Sequence, residues 1–133
     1  MMEADLIGKL LASAPVSAIV SDRVTPVART QGAALPAATV QRIAGGPEMA
    51  DDGSAGIAGV RVQVDCWAAT YGQAKDLAGA VTTELNATAD EIQGSTNFIY
   101  IILEDVRDLR EPGYNNPEYL FRVSLDFLVW SNF

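Results

Sequence analysis

The fold of this chain is decided by one strand that leads directly into a helix, residues 57–85, with the sequence IAGVRVQVDCWAATYGQAKDLAGAVTTEL. Apolar and polar residues alternate over 57–68, which predicts a β-strand. Its apolar face carries Val60, Val62, Val64 and Cys66, and its other face carries Arg61, Gln63, Asp65 and Trp67. Cys66 is therefore predicted to be a core residue. Thr70 and Gln73 form a capping box, and the apolar residues that follow recur at helical spacing. This pattern predicts a helix over 71–86.

The other segments complete a two-layer pattern around this unit. A first helix is predicted from a stripe formed by Leu6, Ile7, Leu10, Leu11 and Ala14. We expect Pro15 to end this helix, because proline disfavours the helical conformation of the residue before it. Further strands are predicted at 24–27, 37–43, 98–103 and 119–130, of which 98–103 is apolar on both faces. The order α-β-β-β-α-β-β predicts a single α+β domain over 1–133, with a mainly antiparallel sheet of about five strands and two helices packed on one face.

A long polar segment, GGPEMADDGSAG at residues 45–56, separates two of these strands. Glycine, proline and aspartate dominate it, and it is longer than an ordinary hairpin connection. We therefore expect a mobile loop, which is either a spacer or an arm that contacts a partner.

The segments 57–68 and 119–130 are predicted to pair as antiparallel neighbours. In the register that places Arg61 opposite Asp126 and Asp65 opposite Arg122, opposite charges face each other across the strands. Each such pair is worth ~0.2–1 kcal/mol. A shift of one residue would place apolar residues opposite polar ones. These four residues are therefore predicted to form two cross-strand polar pairs.

The polar face of these two strands is apolar at its ends. One end carries Trp67 and Leu120, and the other carries Ile57, Leu128 and Trp130. Apolar patches bordered by charge usually mark an interface, and tryptophan is enriched at interface centres. Either a helix or a long loop of the same chain covers this face, or these five residues form a subunit interface. The apolar strand at 98–103 shifts the balance towards an oligomer.

The composition leaves little for catalysis. The chain has no histidine, one cysteine and a formal net charge of −8, which excludes Ser-His-Asp and Cys-His sites and a disulfide framework. The acidic balance argues against a surface that grips nucleic-acid phosphates. Acidic pairs at Asp51-Asp52, Asp90-Glu91 and Glu104-Asp105 could act in acid/base chemistry or hold a cation, but solvated surface charge is the simpler interpretation. No catalytic, cofactor-binding or metal-binding residue is predicted.

The sequence also gives no sign of a membrane partner. It contains no run of ~18 apolar residues, the length of a membrane span. The N-terminal residues are acidic where a signal peptide would be basic. We therefore expect the protein to be made in the cytoplasm.

Several stretches together resemble a known family. The strand VRVQVDCW at 60–67 is followed by ATYGQAKDLA at 69–78, and YLFRVSLDFLVW occupies 119–130. Further matching stretches are MEADLI at 2–7, DRV at 22–24, AALP at 33–36 and TVQRI at 39–43. Over nearly its whole length the chain is similar to the tail-completion, or tail terminator, proteins of long-tailed bacteriophages of the siphovirus type, which also occur in prophages and gene transfer agents.

The resemblance implies a structural virion protein that performs no reaction. Members of this family form a hexameric ring that caps the completed tail tube at its head-proximal end and offers the head–tail joining surface. The implied partners are further copies of the chain, the tail tube protein and the head–tail connector or stopper protein, while DNA passes through the ring without specific binding. The contact with tube or connector is expected from the loop, at Pro47, Glu48, Met49, Asp51 and Asp52.

Two other functions stay open at this point. One is a small oligomeric α+β module that binds a ligand or regulates a partner through its sheet face. The other is an enzyme that relies on paired carboxylates, for which the sequence offers very little. The native mass separates a ring from a small module.

Overall fold

A computed structural model describes residues 1–28, 34–50, 53–113 and 116–132 of the chain. The helices in this part are α1 at Met2–Ala12, α2 at Ala14–Val20 and α3 at Tyr71–Leu85. The strands are β1 at Val24–Pro26, β2 at Ala37–Ala50, β3 at Gly53–Ala68, β4 at Ala89–Gln93, β5 at Thr96–Gly113 and β6 at Asn116–Asn132. They form one sheet in the order β1-β2-β3-β6-β5-β4. β1 and β2 are parallel, and the other neighbours are antiparallel.

One hydrophobic core lies between the helices and one face of the sheet. The inward-facing side chains of β3 and β6 and the apolar side chains of all three helices belong to it. Cys66 is fully buried there, as predicted. The α+β class with a mainly antiparallel sheet is confirmed, and the described part has six strands and three helices instead of five and two.

The additional helix follows from the position of Pro15. α1 already ends at Ala12, and Pro15 lies in the first turn of α2. Proline is tolerated there because the N–H groups of a first turn have no helical partner. The prediction that Pro15 ends a helix was therefore wrong, since it lies at the start of the next one. None of the helices in the described ranges is long and apolar enough to cross a membrane.

The second main helix follows the prediction closely. α3 covers Tyr71–Leu85, and the side chain of Thr70 accepts a hydrogen bond from the backbone N–H of Gln73 at 3.2 Å. This contact is the capping interaction expected from the sequence.

The additional strand, β4, gives no strand signal in the sequence. The strand is short, and its residues, ADEIQ, are mostly polar and show no alternation of apolar and polar residues. It turns into β5 at Gly94, which has a φ of +60°. A Cβ atom at Gly94 would lie 2.3 Å from the carboxylate of Asp5, so this turn requires glycine both for its backbone conformation and for its contact with α1.

Most of the segment predicted as a loop, 45–56, is paired strand. β2 continues to Ala50, β3 begins at Gly53, and these two residues pair with each other. Gly45 has a φ of +103°, and its α-carbon lies so close to β3 that a Cβ atom would be 2.3 Å from a backbone oxygen. Glycine thus allows a close, irregular ladder here, and the loop prediction was wrong in secondary structure. The mobility of this segment stays a prediction.

β3 and β6 are antiparallel neighbours, as predicted, but in a register two residues away from the predicted one. Asp126 and Asp65 therefore do not lie directly opposite Arg61 and Arg122, so the predicted register was wrong. Asp65 and Arg122 still form an ion pair on the diagonal, whereas Asp126 binds Arg107 instead of Arg61. The residues directly opposite these two carboxylates are Gln63 and Ser124. A shift of two residues leaves every side chain on the same face. The two registers therefore bury the same side chains, so the burial pattern does not distinguish them. Charge pairs worth ~0.2–1 kcal/mol were too weak to fix the register.

Two pairs of strands project beyond the body of the sheet at opposite ends. Ile57 is the first residue of β3 that pairs with β6, so residues 53–56 and their β2 partners extend past β6. At the other end, β3 stops at Ala68, opposite Phe121, and the paired ends of β5 and β6 continue. We name these the β2–β3 extension (48–50 and 53–56) and the β5–β6 extension (111–113 and 116–120).

Candidate interaction surface

The face of the sheet opposite the helices, here called the outer face, carries the predicted site residues. The helices contribute to the core on the other face. The middle of the outer face is polar, and its two ends are apolar. Arg107 of β5 donates hydrogen bonds to several polar side chains of this middle part.

The guanidinium of Arg107 makes two hydrogen bonds to the carboxylate of Asp126, from Nη1 to Oδ2 at 2.8 Å and from Nη2 to Oδ1 at 3.1 Å. It also donates to Ser124 at 3.1 Å and to Asp105 at 2.7 Å. The hydrogen bond to Asp126 raises the pKa of Arg107 further above its ordinary value. Because Asp126 is buried, its charge depends on this arginine for compensation.

The other two arginines of this face also bind carboxylates of their own subunit. The Nη2 atom of Arg122 is 3.1 Å from Glu111, and its Nη1 atom is 3.9 Å from Asp65 on the diagonal. The Nη1 atom of Arg61 is 2.8 Å from Glu104. The charges in the middle of the outer face are thus compensated within the subunit.

Trp67 and Leu120 lie at one apolar end, and both are half-buried. The guanidinium carbon of Arg122 is 5.1 Å from the centre of the Trp67 ring, within the range of a cation–π contact. The indole N–H donates to the hydroxyl of Thr39 at 3.3 Å. Part of this indole is therefore covered by its own subunit.

At the other apolar end, β5 adds two residues that could not be placed from the sequence. Tyr100 lies opposite Trp130, and Ile102 lies opposite Leu128. Tyr100 is 41% exposed and Ile102 is 40% exposed, whereas the predicted residues Ile57, Leu128 and Trp130 are half-buried. We call Tyr100, Ile102, Leu128 and Trp130 the outer apolar cluster. The apolar residues on both faces of 98–103 indicated that this strand contributes to the outer face. They did not show which residues of β6 it pairs with.

Trp130 lies against the backbone of β3 because Gly59 has no side chain. A Cβ atom built on Gly59 would be 2.6 Å from Cη2 and 2.7 Å from Cζ3 of the indole. Such contacts are far inside ordinary van der Waals distance. The outer apolar cluster therefore reaches from β5 across β6 to the backbone of β3.

The residues predicted to contact the tube or the connector lie at the β2–β3 extension or directly next to it. Pro47, Glu48 and Met49 belong to the last part of β2. Asp51 and Asp52 lie outside the described residues. Gly46, the residue before Pro47, pairs with Gly59, and Gly59 pairs with Trp130, so this candidate contact begins at the level of the outer apolar cluster in the sheet.

The acidic pairs within the described residues, Asp90-Glu91 and Glu104-Asp105, do not gather into a catalytic or metal-binding arrangement. Glu91, Glu104 and Asp105 each form an ion pair with a different basic side chain. In the described ranges there is no group of three or more histidine, cysteine, aspartate or glutamate residues that could hold a metal ion. Burial raises the pKa of the Cys66 thiol well above its ordinary value, which keeps it protonated and unreactive.

A pocket of about 290 Å³ lies beside α2 and α3, on the helix side of the molecule. It is lined by Ile19, Pro36, Gln73 and Asp76. Among the described residues of this lining, Asp76 is the charged one. A specific ligand site usually combines an apolar enclosure with several converging polar groups, and the lining residues that the structure describes do not provide them.

Comparisons with known proteins add a family and a fold. The family model described as Tail completion protein gp17 matches residues 4–132. No curated protein matches the chain. Among solved structures, a chain from the virion of a native gene transfer agent (GTA) particle has a TM-score of 0.72 and 19% sequence identity, with 99% of this chain and 95% of that chain covered. At this identity the likeness shows a shared fold.

Proposed function

This chain belongs to the tail completion protein gp17 family, and we propose that it forms a ring that caps the finished tail tube and joins it to the head. The family membership confirms the resemblance read from the sequence and makes the chain a virion tail protein. The match over residues 4–132 is the observation that carries the proposal. The proposed ring has six copies, the number that the family resemblance implies.

The two extensions of the sheet suit a part that meets two different neighbours. In a ring whose axis runs roughly along the strands, the β2–β3 extension reaches one side of the ring and the β5–β6 extension reaches the other. We assign the first, with Glu48 and Met49 of β2, to the tail tube or the connector, together with the adjacent Pro47 and with Asp51 and Asp52, which come next in sequence. The β5–β6 extension then contacts the remaining partner.

The outer apolar cluster supports contacts between copies of the chain. A monomer leaves Tyr100 and Ile102 in water beside Leu128 and Trp130, and burial of such apolar surface favours association. The proposed subunit contact includes this cluster together with the other apolar residues of the outer face, Ile57, Trp67 and Leu120.

The proposed action is binding, without a chemical step. The carboxylates in the middle of the outer face are engaged by arginines, and the Cys66 thiol is buried. The net charge of −8 disfavours adhesion of the protein to DNA phosphates. These features suit a conduit through which DNA passes without specific binding.

The alternative of a small ligand-binding or regulatory module has no specific support. Such a module would use the sheet face or a pocket. Ion pairs fill the middle of the outer face, and the described lining of the pocket beside α3 offers one charged residue, Asp76. The ring therefore remains the function that the observations favour.

Sedimentation velocity at rising concentration, with and without tail tube protein, tests the proposed ring. We expect a 14.1 kDa monomer in dilute solution and a closed ring at high concentration or bound to tubes. Tubes incubated without this chain are the control. A chain that stays monomeric at every concentration in the presence of tubes would overturn the proposal.

A further inference from the structure

We propose that neighbouring copies in the ring join head to tail through the two edges of the sheet. In this arrangement β4 of one copy lies beside β2 of the next, and β5 of the first copy lies beside β1 of the second. The inference rests on the proposed ring and names the strands that close it. A ring of identical subunits requires two unlike, complementary surfaces on each subunit, and the edges of this sheet have that relation.

At each edge of the sheet the outermost strand is shorter than the strand that it pairs with. Part of the longer strand therefore lies free at the edge, and we call this offset a step. At one edge, the three residues of β1 pair only with 38–40 of β2. At the other edge, the five residues of β4 pair only with 96–100 of β5. Among the described strands, none pairs with β2 on that side beyond Val40 or with β5 on its far side beyond Leu103.

β4 of one copy fits beside the free part of β2 in the next copy. Paired residues can be followed across the sheet from Ala89 of β4 through Tyr100, Trp130 and Gly59 to Gly46 of β2. β4 is therefore level with the part of β2 that β1 leaves free. Both strands run in the same direction in the sheet, so the new pair is parallel.

β1 of that next copy fits in the same way beside the free part of β5 in the first copy. The paired residues run from Pro26 of β1 through Val40, Val64 and Leu125 to Val106 of β5. β1 is therefore level with the part of β5 that β4 leaves free, and the new pair is antiparallel. Both steps are filled at once by a neighbour that is not shifted along the strands. A head-to-tail contact without such a shift closes into a ring instead of a rising helix.

Exposed aliphatic side chains lie along the same edges. Ile92 of β4 is 73% exposed, and Val27, directly after β1, is 66% exposed. Ile43 of β2 and Val106 of β5 are also exposed, and both lie on the free parts of their strands. Edge strands of monomeric proteins are usually protected by charge or by a covering segment. Exposed aliphatic residues on three of these strands, and directly after the fourth, indicate edges that another chain covers.

β4 is held in position by α1 although it lies at the surface. Lys9 of α1 is buried and binds Glu91 of β4. Asp5 of α1 accepts hydrogen bonds from Ser95 and Thr96, where β4 turns into β5. An edge strand fixed in this way loses little conformational freedom when a partner strand joins it, which favours association.

Cysteines placed on the two edges of one chain test this arrangement. Pro26→Cys and Val106→Cys lie at opposite edges of the sheet, so they cannot form a disulfide within one copy. In the proposed ring, each junction brings position 26 of one copy level with position 106 of the next. Mild oxidation at ring-forming concentration is expected to give a ladder of covalent oligomers up to the full ring. The buried thiol of Cys66 adds no background.

Two controls make the result specific. Each single variant should give no covalent dimer, because like edges do not meet in a head-to-tail ring. Pro26→Cys combined with Ile92→Cys should also give none, because these positions lie at different levels. Rings without a covalent ladder, or dimers from a single variant, would overturn the edge contact and leave the ring itself standing. If the unmodified chain forms no ring with tail tube protein, the proposed function fails first.

A second variant tests whether the main chain of β4 takes part. Gln93 and Thr96 flank a two-residue turn, so hydrogen-bonded pairs alternate from there and the N–H of Ile92 points away from β5. In agreement, Asn97, opposite Ile92, donates its N–H to the side chain of Asn132. Ile92→Pro removes the outward donor, and Ile92→Thr keeps it. We expect proline to weaken ring formation about tenfold more than threonine; rings of unchanged strength in Ile92→Pro would contradict strand pairing.

Discussion

Replacing Gly59 by alanine is predicted to displace Trp130 and to destabilise the subunit. The new Cβ atom would lie 2.6, 2.7 and 3.0 Å from three indole carbons, where ordinary contacts are 3.4–4 Å, so the ring must withdraw by about 0.8 Å. Overpacking of this kind costs about 1–3 kcal/mol. The lower unfolded-state entropy of alanine offsets about 0.4–1 kcal/mol of it. We expect a net loss of about 1–2 kcal/mol, which lowers Tm by about 3–8 °C.

Thermal unfolding followed by tryptophan fluorescence measures this effect. When the Trp130 indole is displaced from the backbone of β3, its exposure to water increases. The fluorescence emission of native Gly59→Ala should therefore also move to longer wavelength. Gly79→Ala is the matched control, because no atom lies within 4 Å of a Cβ built there. It lies on the exposed side of α3, where alanine stabilises a helix by up to about 1 kcal/mol. If Gly59→Ala behaves like Gly79→Ala, the placement of Trp130 against β3 is refuted.

Three further substitutions test other parts of the structure. Arg107→Leu leaves the buried Asp126 without its main partner, which should cost about 2–3 kcal/mol in urea unfolding, and Arg107→Leu with Asp126→Leu should recover most of it; no recovery would contradict this reasoning. A hydrogen bond from Tyr71 lowers the pKa of Asp108 below its ordinary 3.8, so this carboxylate stabilises near neutral pH and its contribution fades as the pH falls below 3.8. The stability difference between wild type and Asp108→Asn should shrink over that acid range, and a constant difference would argue against it. Ile102→Glu should weaken ring formation in sedimentation velocity while the monomer keeps its Tm.

Thr83→Glu is the matched control for Ile102→Glu. It introduces the same charge at an exposed position of α3, away from the outer face. The control should leave both ring formation and monomer Tm unchanged. Equal loss of rings in both variants would point to net charge, and not to the outer apolar cluster, as the cause.

The periodic parts of the fold could be predicted from the sequence because burial repeats along them. The alternation over 57–68 and the helical spacing over 71–86 each place many side chains on one face, so no single exception changes the result. β4 has no such repetition, since its five residues are mostly exposed and pair through their main chain. The paired part of 45–56 escaped prediction for the same reason, because a main-chain ladder needs no apolar side chains.

The register between β3 and β6 could not be derived from those two strands alone. Asp126 takes its partner, Arg107, from a third strand, and Arg61 binds Glu104 of that same strand. A comparison of two strands omits these competing partners. The same omission explains why Tyr100 and Ile102 were missed at the outer face, although the apolar character of their strand was evident.

Averaged electron micrographs of tail tube ends, assembled with the purified chain, test the central claim most directly. The account predicts a closed ring at one end of each tube, in which the sheet of every copy continues edge to edge into the next copy. Tube ends that look the same with and without the chain, or chains bound singly along the tube wall, would contradict it.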